Sequence, residues 1–375
     1  MKNSKILIFG TILILIVFVI GSLIAPDKTF SENENRVLQD KPEFTFNSVL
    51  SGRFETQMEN YLNDHILFRD GLVQTMSFIR HYAYGNRDIN GAYIGDGGRL
   101  YKKVTNYDFD WEGFKNNLEE VKTFSVGLNV PVKTMLVPTA SFIEMDGLPM
   151  HANTFDEDKA FDTAREILGE DLIQIKDIFL AYRTVNPGDI HLYYYTDHHW
   201  TNEAAYVSYK AYRDDWENLN YENIEKVVLT DEFLGSLYSK ALLSDKKKDI
   251  IEVPEYLVKE KYNVSIDGKE YDSILFMDRL KNKDKYEVFL GGNYDRVDIQ
   301  GKGNKNILIV KDSYANSFVP YLLNDYGMVT LIDTRYYRDN IKDLAENGEY
   351  DEILILYSID NFAEQKIHLS KKLLS

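Results

Sequence analysis

Short apolar runs of strand length alternate with longer amphipathic segments along most of this chain, and that alternation is the strongest constraint on its fold. Val130–Val137, Ile190–Tyr195, Ile307–Val310, Met328–Ile332 and Glu352–Ser358 read as strands, with Leu172–Ile175 a further short one. Between them the spacing predicts helices from about Asp110, over Phe155–Leu168, over Asn202–Tyr212 and over Ser313–Asn324. In the first of these, Phe114, Leu118, Val121 and Phe124 fall on one face. Strands that are apolar on both sides and alternate with helices predict an α/β domain, a mostly parallel sheet covered by helices.

Three regions depart from this pattern. Phe54–Phe78 has helical spacing, with Phe54, Met58, Tyr61, Leu62 and Ile66 recurring at three and four. Gly91–Gly98 has the turn-rich look of a short hairpin. Residues 230–300 are short, charged and β-rich, with turns at Asp267-Gly268 and Gly291-Gly292, and read as an insertion in the main domain. The expected organisation is therefore a membrane anchor over 1–26, a polar stalk over 27–50, and one domain over 51–375 carrying the insertion.

The anchor rests on Ile6–Ala25, which has no charged residue and is preceded by Lys2 and Lys5. About 20 such residues make a helix long enough to cross hydrocarbon, and positive charge on the leading side places the rest of the chain outside the cytoplasm. The alternative is a cleaved, secreted protein, against which stand Leu23 at a position that favours a small residue and Pro26 just after Ala25. A net charge of −17 argues against a nucleic-acid partner. The absence of cysteine excludes disulfides, thiolate metal sites and cysteine nucleophiles.

In open α/β sheets the ligand crevice lies beyond the carboxyl ends of the strands, and two segments place reactive side chains there. One is Asp197-His198-His199-Trp200-Thr201, with Thr201 a suitable N-cap for the following helix. The other is Lys311-Asp312-Ser313-Tyr314, where a strand turns into a helix. Serine, histidine and aspartate are the parts of an activated hydroxyl nucleophile. Asp197 and His199 are two residues apart and reach the same side of an extended turn, whereas His198 points elsewhere. The residues thus suggest Ser313 as nucleophile, His199 as base and Asp197 as its orienter. Two other readings stand beside this one: Ser313 as a simple helix cap, and His191, Asp197, His198 and His199 as ligands of a metal. Trp200 reads as core or as a pocket wall. No cofactor or metal is expected for the serine mechanism.

The same two motifs resemble the bacterial DHHW family, which is similar to alginate O-acetylation proteins of the AlgJ and AlgX type within the SGNH hydrolase superfamily. The resemblance extends to the apolar N-terminus, to Ser31-Glu32-Asn33-Glu34-Asn35-Arg36, to Tyr61–Arg69 and to Gly91–Gly95. It implies a flavodoxin-like, three-layer α/β/α domain with catalytic Asp197, His199 and Ser313. It further implies O-acetyltransferase or acetylesterase activity on an envelope or secreted polysaccharide, often beside a membrane-bound O-acyltransferase as partner. For the oxyanion and substrate it points to Asn361 after the last strand, with Arg335, Trp200 and Tyr314 as further candidates. Lys311 stands where the superfamily has glycine. The alternative function is a non-catalytic envelope protein that binds polysaccharide or the acyltransferase partner.

Overall fold

Seven strands build one sheet in the computed structural model, which describes residues 2–169, 172, 175–185, 191–215, 224–243, 246–365 and 367–369. In chain order they are β1 (Val132–Val137), β2 (Asn263–Ile266), β3 (Lys269–Tyr271), β4 (Arg296–Gln300), β5 (Lys305–Lys311), β6 (Tyr326–Ile332) and β7 (Glu352–Ser358). The spatial order is β3-β2-β4-β6-β5-β7-β1. The strands β6, β5, β7 and β1 run parallel, in a register that sets Ile309 beside Leu354 and Leu356 beside Met135. The antiparallel strands β4, β2 and β3 extend the sheet on its other side.

Period-two alternation in β5 and β7 divides the apolar residues between two cores. Ile307, Ile309, Leu354 and Leu356 join one core, together with residues of α7 (Ile175–Thr184), α8 (Asn202–Tyr212) and α9 (Ala315–Leu322). Leu308, Val310, Ile353 and Ile355 join the other. That second core takes Phe114 and Leu118 of α5 (Trp111–Ser125), Phe161 of α6 (Glu157–Leu168), Ile341 of α10 (Ile341–Asn347) and Phe362 of α11 (Ile359–Glu364). The helices begin where side chains can satisfy their first free amides. Asp110 accepts from Gly113 at 2.8 Å, Asp156 from Lys159 at 3.0 Å and Thr201 from Ala204 at 3.2 Å.

The fold is thus the expected mixed α/β arrangement, but several elements differ from expectation. Within residues 230–300, β2, β3 and β4 hydrogen-bond into the main sheet, whereas residues 226–233 and 249–254 pair with each other in a two-stranded sheet of their own. Over Ile190–Tyr195, where a strand was expected, residue 190 lies outside the described residues. Residues 191–195 contribute only an isolated bridge of Tyr193 with Trp200. Ile175 opens α7 instead of ending a strand, and residues 173 and 174 lie outside the described residues.

The chain divides into two compact units, Met1–Asn90 with Tyr238–Asp245 and Gly91–Leu237 with Lys246–Ser375. Residues 51–90, expected with the α/β domain, belong to the first unit. There α1 (Lys2–Ile24) is 23 residues long and is followed by α2 (Phe46–Leu50), α3 (Arg53–Asp64) and α4 (Arg69–Phe78). The single helix expected over Phe54–Phe78 breaks between α3 and α4, where Phe68 has φ +59°. Among the described residues no helix is long and apolar enough to cross a membrane; the side chains of residues 2–5, 14 and 23 of α1 lie outside them.

Glu157 shows how the second unit ties its layers together. It is 3% exposed, and its carboxylate accepts from the Thr139 amide at 2.8 Å and the Thr139 hydroxyl at 2.7 Å, just past β1. Burial pushes its carboxyl up to about 8, only partly opposed by those hydrogen bonds. A carboxyl raised on folding contributes stability below its unfolded value that is lost as pH rises through its folded one. The thermal midpoint is therefore expected to fall between pH 5 and pH 8, and Glu157→Gln to flatten that fall. Thermal unfolding of both proteins across this range checks it.

Candidate active site

Two loops meet at the carboxyl ends of the parallel strands. The first, residues 192–201, is closed by hydrogen bonds from Thr201 N–H to Leu192 O at 2.9 Å and from Tyr194 N–H to His199 O at 3.3 Å. Asp249 grips its base, accepting from the Tyr195 and Thr196 amides at 2.7 Å each and from the Thr196 hydroxyl at 2.6 Å. The second loop is the turn from β5 into α9, which carries Ser313. Trp200 ties the two together, its Nε1–H donating to Tyr314 O at 3.0 Å and Ser317 Oγ at 2.9 Å. The Tyr314 hydroxyl adds a bond to His198 O.

Across this junction Asp197, His199 and Ser313 form a continuous chain. His199 Nε2 lies 2.7 Å from Ser313 Oγ, and His199 Nδ1 lies 2.6 Å from Asp197 Oδ1. Asp197 also accepts the His199 amide at 2.9 Å and, on its other oxygen, the Ser236 amide at 2.7 Å. Burial opposes its charge, but the two neighbouring imidazoles and these donors outweigh it and hold the carboxyl well below the usual carboxylate range. With Asp197 ionised and facing Nδ1, the proton of a neutral imidazole sits on Nδ1, which leaves Nε2 free to accept from the serine hydroxyl. Tyr286 stacks on the His199 ring at 3.9 Å with 9° between planes, and its hydroxyl is fixed on Ser317 Oγ at 3.0 Å.

The other expected residues divide. Asn361 lies beside the nucleophile turn: its Nδ2 donates to Asp312 Oδ2 at 2.9 Å, and Lys102 Nζ is 3.4 Å from its Oδ1. Trp200 and Tyr314 are 0% and 2% exposed, so they brace the loops and do not line a substrate surface. Arg335 is not brought to the triad; its guanidinium forks onto Asp333 at 2.9 and 2.5 Å, balancing a carboxylate with no exposure of its own. Lys311, where the resemblance led to an expected glycine, is buried with its ammonium on Asn293 and Asn316 at 2.8 and 2.7 Å, and burial pushes it down to about 8.

Asp197, His198 and His199 are also the group of described residues whose atoms are close enough to share a metal; His191 is not among them. Both ring nitrogens of His199 already face Asp197 and Ser313, so a cation would have to displace one of those hydrogen bonds. His198 binds Ser236 Oγ at 2.7 Å through Nδ1, and burial followed by the charge of His199 pushes it down to about 3.

Sequence reasoning missed Ser236, Asp249, Tyr286 and Asp284. Burial, then the charge of Asp197, pushes the carboxyl of Asp284 up to about 6. All four come from residues 230–300. Gly235-Ser236 ahead of a short helix was the available signal, since a glycine there lets the backbone approach Asp197.

The family described as DHHW protein matches residues 116–332, more than half of the chain. Among solved structures, a DHHW family protein from Eubacterium siraeum superposes with a TM-score of 0.60 at 20% identity, covering 76% of this chain and 97% of that one. Bacillus cereus PatB1 with a sulfonyl adduct gives 0.61 at 16% identity, over 76% and 100%. The O-acetyltransferase domain of Pseudomonas putida AlgJ gives 0.43 at 10% identity, over 74% and 93%. The first two likenesses show a shared fold. No curated protein matches the chain.

A Cβ at Gly235 would collide with Cβ and Oδ2 of Asp197. Gly235→Ala is therefore expected to displace that carboxylate and slow labelling of Ser313 by a sulfonyl fluoride about tenfold or more, with circular dichroism unchanged. Mass spectrometry of the labelled protein over time gives the rate.

Proposed function

The chain belongs to the DHHW family, and from that premise we propose that it is a membrane-anchored, extracytoplasmic serine O-acetyltransferase or acetylesterase of envelope or secreted polysaccharide. The observation that carries this reading is the chain of two short hydrogen bonds from Asp197 through His199 to Ser313. In the first half-reaction Ser313 Oγ attacks the carbonyl carbon of an acetyl ester while His199 Nε2 takes the hydroxyl proton. Asp197 keeps the imidazole in the required tautomer and stabilises the imidazolium. The oxyanion is held by the Ser313 amide and by Asn361, whose amide is oriented by Asp312. The leaving alkoxide takes the proton back from His199, and Ser313 carries the acetyl group. In the second half-reaction a sugar hydroxyl gives its proton to His199 and attacks the acetyl carbonyl, which restores Ser313. Water in the same role makes the enzyme an esterase.

The polysaccharide acceptor and a membrane-bound O-acyltransferase as acyl source follow from the family resemblance. Anchoring follows from the uncharged run Ile6–Ala25 behind Lys2 and Lys5.

Release of phenol from an aryl acetate by the full chain in detergent tests the mechanism. Ser313→Ala is expected to abolish turnover, EDTA to leave it unchanged, and Asp197→Asn to lower kcat by about 10⁴. Asn361→Ala is expected to cost about 10²–10³ in kcat. Turnover surviving in Ser313→Ala would refute the serine mechanism, and loss with EDTA would identify Asp197, His198 and His199 as metal ligands. An inert wild type, with and without oligosaccharide acceptors, would favour the binding protein.

A further inference from the structure

The first unit carries a helix whose amphipathicity is reversed. Phe68, Leu72, Met76 and Ile79 recur at four, four and three residues, so they share one face of α4 and its continuation. That face is open, with the four side chains 72%, 44%, 50% and 37% exposed. Across the helix from this stripe Ser77 is buried, and at the helix start Arg69 bonds to Glu34 at 2.5 Å and lies 3.7 Å from Asp64. A helix in water packs the other way, with its apolar stripe on the core. An ionic cluster inside and an apolar stripe outside is the arrangement suited to an apolar surrounding.

What surrounds it is indicated by the neighbouring helix. Leu67 packs on Gly21 of α1, its amide donates to Ser22 Oγ at 2.8 Å, and Phe68 meets Phe18 edge-on at 6.4 Å. The open face therefore begins level with residues 18–22 of α1, within about 9 Å of that helix's end at 1.5 Å per residue. That is the depth at which an interfacial helix buries its apolar side, about 5–10 Å below the headgroups.

We propose that the Phe68–Ile79 face lies in the outer leaflet of the membrane, as a second contact that holds the first unit against the lipid surface. The inference rests on the reading of α1 as a membrane anchor, and the two are separable by experiment. The chain has no cysteine, so single variants Leu72→Cys, Met76→Cys, Asp70→Cys on the opposite side of α4, and Leu13→Cys in α1 can each carry an environment-sensitive fluorophore. The full chain is reconstituted in vesicles of phosphatidylethanolamine and phosphatidylglycerol, with and without brominated acyl chains.

Labels at residues 72 and 76 are expected to be quenched about twofold or more by brominated lipid and shielded from iodide, with the reverse at residue 70. Iodide access at 72 and 76 together with lipid quenching at 13 would overturn this surface and leave the anchor standing. Absence of lipid quenching at residue 13 as well would overturn the anchor and the surface with it. Labels at 72 and 76 shielded from iodide yet unquenched by brominated lipid would mean that protein, a second copy or another chain, covers the face.

Discussion

The arrangement of the site depends on one buried carboxylate. Asp312 has no exposed surface, and its two oxygens are filled by the Tyr314 amide at 2.9 Å, the Ser358 amide at 2.9 Å, the Ser358 hydroxyl at 3.2 Å and Asn361 Nδ2 at 2.9 Å. These donors come from two different strand ends, β5 and β7. The parallel register brings those ends side by side, with Lys311 opposite Leu356, and Asp312 locks them there. A carboxylate with several good donors can remain in a core that would otherwise reject it. Its position next to Ser313 means that the same bonds fix the Ser313 turn and the amide of Asn361. Burial raises the carboxyl of Asp312 while the donors lower it, so the network carries this tension in the ground state and not only during reaction.

The second requirement is a tolerable charge around His199. Asp197 is held ionised by neighbouring donors and imidazoles; in so buried a place a further full negative charge packed against it would be repelled strongly, and so would a second positive charge beside an imidazolium at His199. The nearby groups avoid that in different ways. Asp284 has its carboxyl pushed up to about 6, which softens its repulsion of Asp197. His198 is pushed down to about 3 and stays neutral. Lys102 and Asp360 neutralise each other at 2.6 Å on the far side of Asn361. The stacked Tyr286 limits how far the His199 ring can tilt.

Much of this was legible because local rules and global fold agree. The strands β5, β6 and β7 are apolar on both faces, and α5 and α8 begin at good caps, Asp110 and Thr201. The triad was legible because its residue types carry a chemical signature independent of distance along the chain. The misreadings have the opposite cause. Residues 191–195 are rich in tyrosine and look strand-like, but they bury those rings in a loop whose polar backbone is satisfied by Asp249 and by Arg99, which donates to Tyr193 O at 2.9 Å. Residues 263–300 look detachable because β2, β3 and β4 are short and carry many polar residues; only the pairing of β4 with β6, further along the chain, and of β2 with β4 and β3 with β2, shows that they extend the sheet. For Arg335, sequence does not reveal that its guanidinium is engaged by the buried Asp333.

Placement of Ser236, Asp249, Asp284 and Tyr286 has a consequence for how such a site can vary. All four lie in the segment of short strands and turns between α8 and β5, yet each touches the loop carrying Asp197 and His199 or acts on it electrostatically. Ser313 and Asn361 follow the ends of parallel strands, while the wall of the site and part of its electrostatics come from connections that tolerate change. A substitution in that segment can therefore retune acidity or reshape the space above Ser313 without disturbing the register that holds Ser313 and Asn361. Substitutions at Asp312 lack this freedom, because its four donors belong to two strand ends at once, and losing the carboxylate would leave several buried groups unsatisfied together.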